Sequence, residues 1–420
     1  MPRPAPALMP DADRAPDARP LSADTRAVHA GRGHLRALGV HALPIDLSTT
    51  YPFESLGAAV GSLDAMMEGR APTPEGGPVY SRLWNPTVAR FEDGLAQLEG
   101  AEAAVAFASG MAALTGVLLA ARWRAQQAGQ DGPGHVVGVK PVYGTTDKLL
   151  SSGLLGFRVT WTDAAGVADA VRPDTLLVCI ETPTNPTLDL VDVAAVVRAA
   201  GDVPVCVDST FATPVLQRPL ALGAAVVWHS GTKYLGGHGD VLAGVVAGDA
   251  AWAAALRTVR ILTGAVLHPE AAYLLHRGLA TLPLRVRRAE ATATALAARL
   301  AAHPLVSQVY HPSRPGRDPA GLVGTQMDGP GAMLSAELSD ADGPSFALAA
   351  GTLAALRLAT PAVSLGSTDT LVQHPAGLTQ RVATGDAGPI TPGLIRLSVG
   401  LEDADDLWAD LEQALAAAAG

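Results

Sequence analysis

The run His229-Ser230-Gly231-Thr232-Lys233-Tyr234-Leu235-Gly236-Gly237-His238-Gly239-Asp240 organises the reading of this chain. It follows Ala224–Trp228, an apolar, β-rich segment that reads as a buried strand. One lysine stands at the end of that strand. Two hydroxyls, Ser230 and Thr232, stand just before it, and Gly236, Gly237 and Gly239 follow. Hydroxyl donors beside a lysine, with backbone that a ligand can approach closely, suit a Schiff-base lysine on a phosphorylated aldehyde cofactor. Taken alone, the same residues fit a strand-end turn with a solvated lysine. The rest of the chain has to decide.

Outward from this run, the pattern is regular. Ala104–Ala108 reads as a strand, and Ser109-Gly110-Met111 turns into a helix reaching about Gln127. His135–Lys140 is a strand ending at Pro141-Val142-Tyr143-Gly144-Thr145-Thr146. Phe157–Asp163, Leu176–Ile180 and Val203–Val207 are further strands, and the strand before Lys233 closes the series. Strands that are nearly continuous in apolar residues and alternate with helices predict an α/β fold with a mainly parallel sheet covered on both faces. Polar residues gather at the carboxyl ends of these strands, where open α/β sheets bind ligands.

The flanks read differently. Residues 1–21 are rich in Pro, Ala, Asp and Arg without periodicity, and are expected to be a disordered tail. Thr25–Gly31 opens the ordered part, Pro44–Phe53 reads as extended, and 70–79 as a surface loop. Tyr80-Ser81-Arg82-Leu83-Trp84-Asn85-Pro86-Thr87 precedes a helix over Val88–Leu98, with Gly100 beyond its end. On extended chain Tyr80 and Arg82 would point the same way. After about residue 280 a long helix (Leu284–His303), a loop-like stretch (311–330), a strand (Ala332–Leu338), a helix (Pro344–Ala355), a last strand containing Leu394–Val399 and a closing helix (Asp403 to about Ala418) predict a smaller α+β domain. The expected boundaries are a tail at 1–21, an N-terminal arm at 22–84, a cofactor-binding domain at 85–282 and a C-terminal domain at 283–420.

Composition excludes several classes. The chain has 420 residues, 48% hydrophobic and 17% charged, with a net charge of -10. That balance favours neither nucleic acid nor an anionic membrane surface. Cys179 and Cys206 both lie in apolar strand-like runs and read as buried free thiols. No His/Cys cluster predicts a metal. No apolar window is long enough to span a membrane, and the N-terminus does not read as a secretory signal, so a cytoplasmic location is expected.

The scattered polar residues make a consistent set. A pyridoxal phosphate site needs a lysine, a carboxylate for the pyridine nitrogen, phosphate donors and a group for the substrate carboxylate. Lys233 and Asp208 end consecutive predicted strands and supply the first two. The backbone amides of Gly110 and Met111, at a predicted helix start, join Ser230 and Thr232 as phosphate donors. Arg396 sits in an otherwise apolar strand, where an unpaired guanidinium is costly. It calls for an anionic partner, either an internal acid or a substrate carboxylate held bidentately.

Eight runs then occur in order: YSRLWNPT, FASGMAAL, PVYGTT, ETPTNPTL, VDSTFATP, HSGTKYLGGHGD, PAVSLGSTDTLVQHPAGLTQ and LIRLSVGLEDADDL. Together, over roughly residues 24–415, the chain resembles the Cys/Met-metabolism family of pyridoxal-phosphate enzymes. The resemblance implies a fold-type-I, aminotransferase-like subunit and a homotetramer of two tight dimers with shared active sites. It implies Lys233 as the cofactor lysine, Asp208 against the pyridine nitrogen, and Tyr143 stacked on the ring as acid/base at the γ-leaving group. Asn185 would contact the cofactor's 3′-oxygen or the substrate carboxylate. Tyr80 and Arg82 would reach the phosphate of the neighbouring subunit, and Ser364 and Arg396 would bind the substrate carboxylate.

Within the family, LTGAVL (262–267) and SLGSTDTLVQHP resemble the γ-lyases, methionine γ-lyase especially. The implied reaction is α,γ-elimination on methionine, cystathionine or homocysteine, giving 2-oxobutyrate, ammonia and a thiol. The alternatives are γ-replacement on an O-acylhomoserine and a non-catalytic cofactor-binding protein. Four positions depart from the usual methionine γ-lyase pattern. Thr145 stands for a cysteine, Arg260-Ile261 for a Lys-Asp pair, Asp369 for a glutamate and Ser209 for an asparagine.

Overall fold

The structure is a computed structural model that describes residues 21–378 and 390–420. The expected tail, apart from Leu21, lies outside the described residues, as does the end of the PAVSLGSTDTLVQHPAGLTQ run. Three helices open the chain: α1 (Ala23–His29), α2 (Leu35–Leu38) and α3 (Leu56–Met67). Next come α4 (Pro86–Glu99), β1 (Ala103–Phe107) and α5 (Gly110–Gln127). Strands and helices then alternate through β2 (His135–Val139), α6 (Gly144–Ser151), β3 (Arg158–Thr162), α7 (Val167–Ala170), β4 (Thr175–Glu181), α8 (Val193–Ala200), β5 (Val205–Asp208) and α9 (Thr213–Leu216). The lysine turn joins β6 (Val226–Ser230) to β7 (Gly244–Gly248). Helices α10 (Ala250–Thr263), α11 (Pro269–Leu279) and α12 (Leu282–Leu300) follow. The C-terminal part contains β8 (Val306–Tyr310), β9 (Met333–Asp340), β10 (Gly343–Pro344), α13 (Phe346–Ala355), β11 (Thr360–Pro361), β12 (Leu371–Gln373), β13 (Leu394–Ser398) and α14 (Ala404–Ala419).

Two compact units divide the chain. The first runs to Gly132 and includes Ala225–Gly236 and Asp240–Pro283. Its strands are β1, β7 and β6, with β7 in the middle and antiparallel to both neighbours. The series therefore does not close at the strand before Lys233, as the sequence reading expected. Glycines hide β7 in the sequence, and packing explains one of them. A Cβ on Gly244 would lie 2.1 Å from the Ser109 carbonyl oxygen, so only glycine lets β7 pass the start of α5.

Helix α4 starts at Pro86, two residues before the expected Val88. Asn85 caps it by accepting from the N–H groups of Thr87 and Val88, with Pro86 in the first turn, and Gly100 ends it at φ 71°. Its Glu92 carboxylate is buried. Oε1 accepts from the Ala106 N–H at 2.8 Å and from Arg260 at 2.5 Å, while Arg260 also donates to the Ala106 carbonyl at 2.9 Å. One ion pair thus ties α4, β1 and α10 together. A second buried pair, Glu99 with His229 at 2.6 Å, holds the end of α4 to β6.

The second unit comprises Pro133–Ala224, Gly237–Gly239 and the chain from Leu284 onward. Here β5, β4, β2 and β3 lie side by side, all parallel. Every residue of β2, β4 and β5 is buried except the half-buried Leu176, and Val137, Val178, Ile180, Val205 and Val207 pack against Val193 and Val196 of α8. This is the two-sided burial that the apolar runs predict. Cys179 and Cys206 are free, buried and in register on β4 and β5.

The same unit holds a second sheet in the order β10-β9-β13-β12-β11, with β8 also on β9. Its core joins Leu296 and Leu300 of α12, Leu334, Ile395 and Leu397 of the sheet, and Leu411 and Leu415 of α14. The predicted helix at 344–355 starts later, at Phe346. Ser345 caps it, and Gly343–Pro344 pairs with β9 instead. Asp410 of α14 accepts the N–H groups of Arg357, Leu358 and Ala359 and so pins the chain that leaves α13. Among the described residues, no helix is long and apolar enough to cross a membrane and no cluster of metal-ligating side chains is found.

The Glu92–Arg260 pair yields a test. Glu92→Leu strands the Arg260 charge in the interior and is expected to cost about 3–5 kcal/mol. The double variant Glu92→Leu/Arg260→Met is expected to recover at least half of that loss, read from thermal midpoints of the two proteins against the parent.

Candidate active site

In the first unit, β6 delivers Ser230 to a tight turn. The Lys233 N–H donates to the Ser230 carbonyl at 3.1 Å, and the Gly236 N–H to the Gly231 carbonyl at 3.0 Å. Thr232 anchors the turn to the start of β7, its hydroxyl accepting from the Ala243 N–H at 3.0 Å. Helix α5 begins beside this turn. Ser109 caps it by accepting from the Ala112 N–H at 3.1 Å. A Cβ on Gly110 would lie 3.1 Å from Ser230 Cβ and 3.2 Å from its Oγ. The bare Gly110 Cα therefore leaves space between the α5 amides and the Ser230 hydroxyl. An 18-residue helix N-terminus with a hydroxyl at this distance is an anion cradle. Met111 follows in the first turn, half-buried.

Tyr80 and Arg82 also belong to this unit, but not on extended chain. Leu83 and Trp84 both donate to the Tyr80 carbonyl, so the segment is a turn. Arg82 still faces Tyr80, its guanidinium carbon 5.5 Å from the ring centroid, and it donates to the Ile261 carbonyl at 2.8 Å.

The second unit carries the other candidates. Asp208, at the end of β5, is buried, and its Oδ1 accepts the Thr210 N–H at 3.0 Å and the Thr210 hydroxyl at 2.5 Å. Glu181 ends β4 in register with it. Glu181 Oε2 accepts the Tyr143 N–H at 2.5 Å, and Oε1 the Asn185 N–H at 2.9 Å. Burial first, and then the neighbouring Asp208 charge, push the Glu181 carboxyl well above the usual carboxylate range. The two N–H bonds and the Arg396 charge act the other way. The Tyr143 side chain is exposed, at 42%.

Arg396 lies in β13, every residue of which is buried. Nη1 donates to Asn185 Oδ1 at 2.9 Å, and Nη2 to the Ser364 carbonyl at 2.8 Å and to Gln373 Oε1 at 2.6 Å. Gln373 is its direct cross-strand neighbour on β12. Ser364 takes φ 82°, a left-handed conformation that costs a non-glycine residue of order 1–3 kcal/mol. Two contacts along β13 hold that turn in place. Arg396 takes the Ser364 carbonyl, and Ser398, two residues on, accepts the Gly366 N–H at 2.8 Å. On the other side of Arg396, Ser335 of β9 donates to the Pro186 carbonyl at 2.8 Å and steadies the loop that carries Asn185.

Two members of this cluster, Glu181 and Gln373, had no role in the sequence reading. Glu181 carried a signal, a carboxylate directly after a buried strand and in step with Asp208. Gln373 carried none, because only the β12–β13 register brings it to Arg396. The four departures separate as well. Arg260 is part of the buried knot described above. Ser209 is buried and accepts from Gln217 Nε2 at 3.1 Å. Thr145 is exposed on α6, and Asp369 accepts from the Ser367 hydroxyl at 2.5 Å.

Comparison with known proteins settles the family. A family model described as Cys/Met metabolism PLP-dependent enzyme matches residues 24–416. The chain belongs to that family. It is 52% identical to an L-methionine gamma-lyase of Brevibacterium aurantiacum, over 95% of each chain. It is 54% identical to an L-methionine gamma-lyase of Streptomyces avermitilis, over 93% of this chain and 88% of that protein. Among solved structures, a cystathionine gamma-lyase of Micromonospora echinospora superposes with a TM-score of 0.81 at 39% identity, over 94% of this chain and all of that one. A cystathionine gamma-synthase of Xanthomonas oryzae pv. oryzae gives 0.84 at 34%, over 96% and 99%. The fold is that of fold-type-I pyridoxal-phosphate enzymes, and the protein is a pyridoxal 5′-phosphate-dependent carbon–sulfur lyase.

The residues fit the cofactor. The cradle between Gly110 and Ser230 is one that a side chain on Gly110 would fill, and the buried Asp208 is a carboxylate of the kind a pyridinium nitrogen requires. Gly110→Ala is expected to raise the dissociation constant for pyridoxal phosphate about tenfold or more, and the melting curve of the cofactor-free protein reports separately the cost of the 3.1 Å approach to Ser230 Cβ, which opposes the helix propensity of alanine. Titration of the apoprotein with cofactor, alongside a melting curve, reads both quantities.

Proposed function

We propose that this protein is a γ-lyase that converts L-methionine and related sulfur amino acids, with water, to 2-oxobutyrate, ammonia and a thiol. The reading is carried by one observation. Curated L-methionine gamma-lyases match it at 52% and 54% identity across nearly the whole chain. Bound pyridoxal phosphate supplies an electron sink for the negative charge left when a proton leaves Cα. The residues of the chain do the rest. Lys233 carries the cofactor at rest, and its freed amine takes the Cα proton and then a Cβ proton. Asp208 keeps the pyridine nitrogen protonated. Tyr143 would contact the ring and would protonate the departing sulfur. Gly110, Met111, Ser230 and Thr232 hold the phosphate, and Arg396, Ser364 and Asn185 the substrate carboxylate.

The assembly we propose is a homotetramer of two dimers. In it the 22–84 arm carries Tyr80 and Arg82 to the phosphate of a neighbouring copy, beside a cofactor domain at 85–282 and a C-terminal domain at 283–420. The proposed location is the cytoplasm.

A γ-replacement reading rests on the likeness to the cystathionine gamma-synthase, at the lower identity of 34%. Product analysis separates the two. Purified holoenzyme is expected to release 2-oxobutyrate from methionine without added thiol. Turnover confined to an O-acylhomoserine, and dependent on thiol, would make it a replacement enzyme. Arg396→Lys loses the planar fork and is expected to raise KM for methionine about 10- to 100-fold, with cofactor affinity unchanged. An unaltered KM would remove Arg396 from the substrate site.

A further inference from the structure

We propose that Glu181 is a positioning residue which, by accepting the Tyr143 and Asn185 N–H groups together, fixes the Tyr143 ring relative to the Arg396–Asn185 clamp. The proposal rests on the functions given above to Tyr143 and Arg396. Its geometry does not.

One carboxyl group joins two segments just beyond the paired ends of β2 and β4. Tyr143 begins α6 and Asn185 follows β4, and the Glu181 oxygens accept one N–H from each, at 2.5 and 2.9 Å. Both segments depend on this. Tyr143 caps α6 without any side-chain capping bond. Its ring is exposed rather than wedged among neighbours, so its place is set by its backbone. Asn185 in turn presents Oδ1 to Arg396 at 2.9 Å. The chain of contacts therefore runs from the guanidinium through Asn185 and Glu181 to the start of the tyrosine helix. A shift at one end is transmitted to the other, and misplacing a reacting group by about 1 Å can cost about 10²-fold in rate.

The side chain has to be an acid with two acceptor oxygens. A glutamine of the same shape offers one oxygen and one NH2, so one of the two backbone N–H groups would face a donor. The two N–H bonds oppose the upward push that burial and the Asp208 charge exert on the Glu181 carboxyl.

Glu181→Gln and Glu181→Asp test this, with Arg396→Lys alongside. Hydrogen exchange of the cofactor-free protein, resolved to the Tyr143 and Asn185 amides, is the direct readout. Glu181→Gln is expected to speed exchange at one or both amides about tenfold or more. In the holoenzyme it is expected to lower kcat about 10- to 100-fold and to change KM for methionine by less than about threefold. Glu181→Asp keeps both acceptors on a shorter stem and is expected to fall between the parent and Glu181→Gln on both readouts. It decides alone if the glutamine variant fails to fold. Parent-like protection at both amides overturns the proposal, whatever happens to turnover. Faster exchange with kcat within about twofold of the parent overturns it as well. If the amides respond and kcat falls while Arg396→Lys leaves KM unchanged, the substrate-site reading fails and the role of Glu181 stands.

Discussion

A guanidinium inside a fully buried strand must be surrounded by acceptors, and much of the second unit is built to surround Arg396. Leaving such a charge unsatisfied costs several kcal/mol, on the order of the stability of a whole domain. The acceptors come from three separate places: the Asn185 loop after β4, the strained Ser364 turn, and Gln373 on the neighbouring strand. Each is then held by something else. Asn185 is held by Glu181, its loop by Ser335, and the Ser364 turn by Ser398 through Gly366. The left-handed conformation of Ser364 belongs to this scheme, since it is maintained in a turn whose carbonyl goes to the buried charge. The charge therefore organises the polar loops, and those loops carry the residues assigned to the substrate.

The first unit solves the opposite problem, making room for an anion. Its devices are close approaches. Gly244 lets β7 pass Ser109, Gly110 sits against Ser230, and the Lys233 turn closes on its own carbonyls. The buried Glu92–Arg260 and Glu99–His229 pairs hold the supporting helices to the strands. At Arg260 the chain departs from the usual family residue, and the replacement serves packing rather than chemistry. A sequence difference near a site motif thus need not mark a change of substrate.

How much was legible in the sequence follows from the kind of signal each feature leaves. Apolar runs mark strands, so β1 to β6 were readable, as were β9, β13 and the helices α12 and α14 after residue 280. Apolar spacing and a closing glycine leave local signatures, so α4 was readable from Val88 to Gly100, while its Asn85 cap and first turn were not. β7 was not, because the glycine that lets it pass α5 makes it look like loop. The Tyr80–Arg82 turn was read as extended because alternation alone cannot tell a strand from a turn that faces the same two side chains together. Lys233 and Asp208 were legible as polar residues closing apolar strands. Gln373 was invisible, since its role exists only through strand register. Glu181 was visible but silent, because nothing local says which backbone groups a buried carboxyl will accept.

The central claim is that Lys233 carries the cofactor. The chain has only three lysines, Lys140, Lys148 and Lys233. Lys140 is engaged by Asp147 at 3.3 Å and lies over the Trp161 ring, and Lys148 is exposed on α6. Borohydride reduction of the holoenzyme, followed by peptide mapping, tests the claim most directly. The expected result is one pyridoxyl adduct per chain, on the peptide containing Lys233. An adduct on Lys140 or Lys148, with Lys233 unmodified, would contradict the account from the lysine turn outward.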